Sequence, residues 1–132
     1  RYITEHSEFY IPKQDEWRSA PESSKQGSGP LLDAETGVFY TKALRDHVRV
    51  GEQMYEDALR VGIAPEQARL FLPAYALYLR YYWSASLASV CHFLNQRLAH
   101  DSQVEIQQYA KAVLELAKSQ FPLSVTALIG EQ

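Results

Sequence analysis

Two arginines, Arg69 and Arg97, lie within mostly apolar stretches of this 132-residue sequence. A guanidinium group stays charged at physiological pH, and burying it is unfavourable unless an anion or a polar network receives it. Its planar fork of donors matches the oxygens of a phosphate or a carboxylate, so the pair points first to an anionic ligand. Ion pairs within the fold are the alternative. The partner of Arg69 would then be Glu66, and that of Arg97 would be Asp101 or Glu105.

Other side chains form no recognisable catalytic or metal-binding pattern. His92 and His100 lie eight residues apart, whereas a zinc-binding helix typically places its histidines at i and i+4. The G-x-S-x-G, P-loop and G-x-G-x-x-G motifs are absent from the sequence. We therefore predict no metal site and no nucleophilic serine. Four aromatic residues are candidates either to stack on a planar ring or to fill a core: Tyr78, Tyr81, Tyr82 and Trp83.

The composition fits one soluble domain over residues 1–132, since 46% of the residues are hydrophobic. A net charge of -3 argues against nucleic-acid binding, which relies on a basic face. No apolar run reaches the roughly 20 residues that cross a membrane. The single cysteine, Cys91, is expected in the core and suits the cytoplasm. Because Met54 is the only methionine and the chain begins Arg1-Tyr2, we expect sequence upstream of it.

Helices and extended segments must position the two arginines. Residues 2–11 favour a strand, and residues 13–33, rich in Ser, Gly and Pro, predict a long flexible loop. A helix is predicted over residues 35–60, closed by Gly62, and a short helix runs from Pro65 to Leu72. The first helix is amphipathic, with an apolar stripe at helical spacing formed by Phe39, Ala43, His47, Val50, Met54, Ala58 and Val61.

The second half of the chain begins with residues 74–85, whose aromatic alternation predicts a strand. A helix to about Ala99 follows, capped by Ser84 or Ser86, and Arg97 borders its buried stripe. A capping box formed by Ser102 and Glu105 starts a helix that Pro122 stops at about Gln120, leaving a short apolar tail. The predicted fold class is α+β, mainly helical with a few extended strands.

These residues, in this order, resemble the C-terminal part of the flavin-dependent thymidylate synthases, the ThyX family. Arg1-Tyr2 matches the last two letters of the family signature R-H-R-x-x-S-x-x-E-x-S-x-R-Y, and SEFYIP follows it. The family blocks A-R-x-x-L-P, F-L-x-x-R and Q-x-E-I-Q-Q-Y-A match residues 68–73, 93–97 and 103–110. The resemblance covers nearly the whole chain. It implies a ThyX-like fold assembled as a homotetramer, with the upstream part of the domain missing.

The resemblance also implies a reaction. Enzymes of this family methylate dUMP to dTMP with methylenetetrahydrofolate, and FAD passes on the hydride that it receives from NADPH. By position, Arg1 and Arg69 resemble the arginines that bind the dUMP phosphate. Arg97 resembles the catalytic arginine set against the uracil ring, which stabilises negative charge as N3 ionises. Ser86 and His92 stand at positions that contact FAD.

Some residues depart from the family pattern. The run Ser86-Leu87-Ala88 replaces the family's N-x-R, and Asp101 stands where histidine is frequent. Two alternatives therefore stay open: a non-catalytic homologue or helical interaction module, and an enzyme that methylates another uridine nucleotide. The loop of residues 13–33, around Lys25 and Gln26, is a candidate for a substrate-side lid.

Overall fold

A computed structural model of the chain describes residues 8–22 and 27–129. These residues are mainly helical, as predicted, and they divide into two compact units. The first unit comprises the described parts of Arg1–Trp17 and Leu31–Tyr81, and the second those of Arg18–Pro30 and Tyr82–Gln132. That residues 1–132 belong to one domain, and that the loop of residues 13–33 is flexible, stay predictions.

The first unit is built on a long helix, α1 (Ala34–Arg60), which confirms the helix predicted over residues 35–60. Asp33 caps its start, because the carboxylate accepts hydrogen bonds from the backbone N–H of Thr36 at 2.8 Å and from its hydroxyl at 2.7 Å. Gly62 ends it with a φ of 88°, a conformation that favours glycine. The N–H of Gly62 donates to the carbonyl of Leu59 at 3.0 Å and so closes the last turn.

The apolar stripe of α1 is mostly exposed in this chain. Of the seven residues predicted for the stripe, only Ala58 is buried; Phe39 is 64% exposed, Val50 56% and Met54 44%. The helix instead buries a neighbouring face of small side chains, namely Gly37, Thr41, Val48, Gly51 and Ala58. The sequence predicted the helix correctly, but the larger apolar side chains do not face the interior of its unit.

Backbone approach explains why small residues line the buried face. A Cβ on Gly37 would clash with the carbonyl oxygen of Gln14, and one on Gly51 would lie 2.7 Å from that of Phe71. The Thr41 hydroxyl accepts a hydrogen bond from the Trp17 indole N–H at 2.9 Å and donates one to the carbonyl of Pro12. The helix therefore packs directly on loop backbone, where large side chains would not fit.

Two short helical turns pack against α1. Helix α2 (Pro65–Ala68) begins with a proline, as predicted, and continues as a 3₁₀ turn over Arg69–Phe71. Ala68 and Leu72 are buried. The helix predicted from Pro65 to Leu72 is thus confirmed as two consecutive turns of different pitch.

The strand predicted over residues 74–85 is wrong. Within the described residues this segment makes only an isolated antiparallel bridge, between Leu77 and Phe9. A strand was also predicted over residues 2–11. Residues 2–7 lie outside the described residues, and the rest of this segment forms only the bridge to Leu77. The alternation failed because several of its aromatic side chains are exposed: Tyr75, Tyr78, Tyr81, Tyr82 and Trp83.

The second unit is a cluster of three helices that pack on one another, α3 (Leu87–Arg97), α4 (Val104–Gln120) and α5 (Pro122–Ile129). Its core is formed by fully or almost fully buried side chains: Cys91, Leu94, Ala110 and Val125. The prediction that Cys91 lies in the core is confirmed. In the described part of the chain, no helix is long and apolar enough to cross a membrane.

Three details of these helices differ from prediction. Helix α3 ends at Arg97 rather than Ala99, although Ser86 caps it as expected, accepting from the N–H of Ser89 at 3.1 Å. The predicted capping box is wrong, because Gln103 occupies the N-cap of α4 and no side chain caps that end. The apolar tail is a helix, since Pro122 at its first position lacks only a donor that would have no partner there.

Candidate functional site

Arg97 is the last residue of α3 and is half-buried. It lies three residues after Leu94, which is fully buried, so it borders the buried stripe as the sequence predicted. The C-terminal end of a helix carries partial negative charge, which favours a cation there. Arg97 is thus a partly desolvated cation on a rigid helix, a suitable setting for binding a planar anionic group.

The turn that joins α3 to α4 is fixed by side-chain hydrogen bonds. The Ser102 hydroxyl donates to the carbonyl of Gln96 at 2.8 Å, and Ser102 is only 8% exposed. The Gln107 amide donates to the carbonyls of Ala99 at 3.3 Å and of Ser102 at 2.9 Å. Carbonyls that would otherwise lack partners beyond the helix end are thereby satisfied.

A segment distant in sequence supports the same turn. Arg18 donates to the carboxylate of Glu105 at 3.3 Å, and both belong to the second unit. The backbone of Gly27 lies against Asp101, such that a Cβ on this glycine would be 2.7 Å from the Asp101 carbonyl oxygen. The Arg18–Glu105 pair was not predicted from the sequence. No periodicity relates residues 87 positions apart, so no sequence signal marked the pair.

The two predicted flavin contacts, Ser86 and His92, are both exposed on α3. The Ser86 hydroxyl caps the helix and shares a hydrogen bond with the Ser89 hydroxyl at 2.9 Å, so only part of its bonding capacity remains. Helical geometry places Ser86 about 16 Å along the axis from Arg97, and His92 about 140° around the helix from it. A group contacting both ends of α3 would have to be large, as a dinucleotide such as FAD is. The exposed His92 imidazole and the remaining capacity of the Ser86 hydroxyl could each bind a polar group of such a ligand, so α3 itself offers few polar contacts to a flavin.

Arg69 lies in the first unit, at the start of the 3₁₀ turn, and is half-buried between the buried residues Ala68 and Leu72. The predicted phosphate-binding residue Arg1 lies outside the described residues. Arg80 pairs with Glu8 at 3.7 Å, and 91% of its side chain is exposed. Of the two arginines predicted to bind the phosphate, Arg69 is therefore the one that the structure describes, and it is partly buried.

The first unit also contains a cavity of about 570 Å³ that sequence analysis did not predict. It lies between residues 11–15 and the start of α1, with Lys13 and Arg45 among the residues that line it. None of the predicted site residues that the structure describes lines this cavity. Among the described residues, no group of three His, Cys, Asp or Glu side chains could hold a metal ion.

Comparison with known proteins identifies the family. The family model described as "Thymidylate synthase complementing protein" matches residues 1–123. Two relatives named "Flavin-dependent thymidylate synthase" are a protein of Thermus thermophilus, 38% identical over 96% of this chain, and one of Wolbachia pipientis, 32% identical over 98%. A relative of the same name from Dictyostelium discoideum is 31% identical over 98% of the chain.

The chain spans about half the length of the curated relatives that it matches, covering 45% of the Thermus and Wolbachia proteins and 42% of the Dictyostelium protein. The match nevertheless extends along nearly all of this chain and includes the blocks that contain Arg69 and Arg97. The resemblance noted in the sequence is confirmed: the chain belongs to the thymidylate synthase complementing protein family.

Proposed function

We propose that the protein is a flavin-dependent thymidylate synthase, which converts dUMP to dTMP with methylenetetrahydrofolate, NADPH and FAD. Family membership supports the reaction class. The observation that carries the proposal is the setting of Arg97, a half-buried guanidinium at the end of α3, followed by a turn that hydrogen bonds fix. A preorganised cation of this kind suits the stabilisation of charge on a ring.

Arg97 would act by electrostatics. Its guanidinium, placed against the uracil ring, would stabilise the negative charge that develops as N3 ionises, and this charge activates the ring for attack on the methylene donor. Partial burial strengthens the interaction, because fewer waters screen it. The residue would transfer no proton, since a guanidinium keeps its protons at physiological pH.

Arg69, together with Arg1, would bind the dUMP phosphate. A guanidinium can form two parallel hydrogen bonds with phosphate oxygens, which fixes the orientation of the nucleotide as well as its position. Arg69 lies in a 3₁₀ turn packed against α1, so its backbone is held in place. Phosphate binding there would supply affinity, while Arg97 would supply the catalytic effect.

Ser86 and His92 would contact the flavin. Both are exposed on α3, and a hydroxyl and an imidazole can each hydrogen bond to a flavin dinucleotide. When bound, the flavin would supply the hydride that completes the methyl group, so the protein would need no nucleophile of its own. The buried Cys91 is accordingly free to serve as a core residue.

We also propose that the protein assembles as a homotetramer in the cytoplasm. The exposed apolar stripe of α1 supports an interface, because exposed apolar patches commonly mark contacts between proteins. The exposed aromatic side chains of residues 75–83 support it in the same way. The cytoplasmic location is supported by Cys91, a buried free thiol that suits a reducing compartment.

The test combines dUMP binding with an arginine substitution. Saturating dUMP should raise the melting temperature of the full-length protein, since a ligand at 100 times its Kd adds about 2.7 kcal/mol of stability. Arg97→Lys keeps the charge but loses the fork, so turnover should fall by about 100-fold with folding unchanged. The matched control is Arg49→Lys, an exposed arginine on α1, which should leave turnover unchanged. No thermal shift with dUMP in the presence of FAD would refute the proposed function.

One observation favours a second candidate, a homologue that has lost flavin chemistry. Ser86 is engaged in capping α3, and Ala88 replaces the arginine of the family pattern N-x-R given above, so α3 offers few polar contacts to a flavin. Flavin absorbance of the purified protein separates the two candidates. A protein that binds dUMP but neither retains nor takes up FAD would support the flavin-free homologue.

A further inference from the structure

Helix α3 ends in carbonyl groups that the helix itself cannot satisfy. The carbonyl of Gln96, the residue before Arg97, accepts from the Ser102 hydroxyl at 2.8 Å. The carbonyl of Ala99, two residues after Arg97, accepts from the Gln107 amide at 3.3 Å. A side chain of the turn and one of α4 therefore donate hydrogen bonds to the backbone on both sides of Arg97.

The hydrogen bonds that Ser102 and Gln107 donate around Arg97 form one connected set, the bracket. Gln107 also donates to the carbonyl of Ser102 at 2.9 Å, so the residue that holds Gln96 is itself held from α4. Ser102 is 8% exposed and Gln107 is half-buried, which limits the replacement of these bonds by water. Losing the Ser102 hydroxyl would leave the Gln96 carbonyl without this partner, in a part-buried turn.

The bracket is reinforced from outside the helices. The Arg18–Glu105 ion pair lies on the first turn of α4, and Gly27 lies against the Asp101 carbonyl within the turn itself. These contacts restrict the turn from a segment that is distant in sequence. Ion pairs near the surface contribute little on their own, so the part-buried hydrogen bonds of Ser102 and Gln107 should contribute more to fixing the turn.

We infer that Ser102 and Gln107 are positioning residues, which fix the last turn of α3 and thereby hold the Arg97 guanidinium in the orientation that the pyrimidine ring requires. This inference rests on the proposed function, in which Arg97 faces the ring and Arg69 the phosphate. Neither Ser102 nor Gln107 needs to contact the nucleotide. Their loss should therefore weaken recognition of the base and leave recognition of the phosphate intact.

The experiment compares two ligands with the full-length protein and its Ser102→Ala variant. One ligand is dUMP and the other is 2′-deoxyribose 5-phosphate, which has the phosphate but no base. Ser102→Ala should weaken dUMP binding on the order of tenfold, as expected when a charge-assisted hydrogen bond is misaligned. Its affinity for the sugar phosphate should match that of the unmodified protein, and kcat should fall as well.

Two further variants separate positioning from general destabilisation. Ser102→Thr keeps the hydroxyl and should restore dUMP affinity. The matched control is Ser119→Ala, which removes a comparable serine-to-carbonyl bond, 2.8 Å to Leu116, near the far end of α4 and should change neither affinity. If Ser102→Ala does not fold, Gln107→Met replaces it, because it removes both bracket bonds that Gln107 donates.

The outcomes separate this inference from the proposed function. Equal weakening of both ligands, or no weakening of dUMP binding, in a folded variant would overturn the positioning role while leaving the enzyme intact. Failure of the unmodified protein to bind dUMP would instead refute the proposed function, and the inference with it.

Discussion

Replacing Gly51 with alanine should destabilise the protein, although alanine is the better helix former. In an open helix the substitution would add about 1 kcal/mol of stability. Here the new Cβ would lie 2.7 Å from the Phe71 carbonyl oxygen and 3.1 Å from the ring of Pro73. Neither group is the end of a flexible side chain, so the backbone would have to move. Overpacking of this kind costs about 1–3 kcal/mol, which outweighs the gain in helix propensity.

The net expectation for Gly51→Ala is a loss of about 1 kcal/mol in the free energy of unfolding, from the difference between those two effects. Urea denaturation of the full-length protein measures it, with an unchanged slope showing that the same surface unfolds. Ala43→Gly, at an exposed position of the same helix, is the control and should lose about 1 kcal/mol from propensity alone. A gain in stability for Gly51→Ala equal to the loss at Ala43 would refute the argument from close packing.

Two further predictions follow from α1. The hydrogen bonds from the Thr36 N–H and hydroxyl lower the pKa of the Asp33 carboxyl group in the folded protein. The ionised carboxylate should therefore stabilise the fold fully above the pKa that Asp33 has in the unfolded chain. This stabilisation should be lost as the pH falls through the lower pKa of the folded state. Asp33→Asn should flatten this acidic part of the stability profile, and identical profiles would contradict the cap's charge dependence. Val50→Glu should dissociate the proposed homotetramer in sedimentation experiments, because it places a charge within the exposed apolar stripe. The control is Arg49→Gln, which changes the net charge by the same amount at an exposed position of α1 and should leave the oligomeric state unchanged. A Val50→Glu variant that stays assembled would exclude the stripe as an interface.

The sequence was sufficient to predict the helices other than α5, but not their contacts. Asp33 and Gly62 limit α1, because capping and left-handed turns depend on local residue types. The buried face of the same helix was missed. Hydrophobic periodicity favours large apolar side chains, whereas Gly37 and Gly51 are buried because loop backbone approaches them. Such approach depends on tertiary structure and leaves no periodic signal.

The candidate site was predictable to a similar extent. Arg97 could be selected because it borders an apolar stripe, and the structure places it there, half-buried. Ser102 was expected to cap α4 but donates to the carbonyl of Gln96 instead. A serine before a helix can make either bond, and only the path of the turn decides between them. The contribution of Arg18 was hidden for a different reason, since its partner Glu105 is distant in sequence.

The separation of the two faces of α1 has an evolutionary consequence. Its small residues contact the backbone of their own unit, while Phe39, Val50 and Met54 point away from that packing and are exposed. In the proposed tetramer, selection on folding and selection on association would therefore act on different positions of one helix. Relatives could exchange the large side chains as their assemblies diverge without disturbing the interior, whereas drift at Gly37 or Gly51 would be eliminated whatever partner the surface binds.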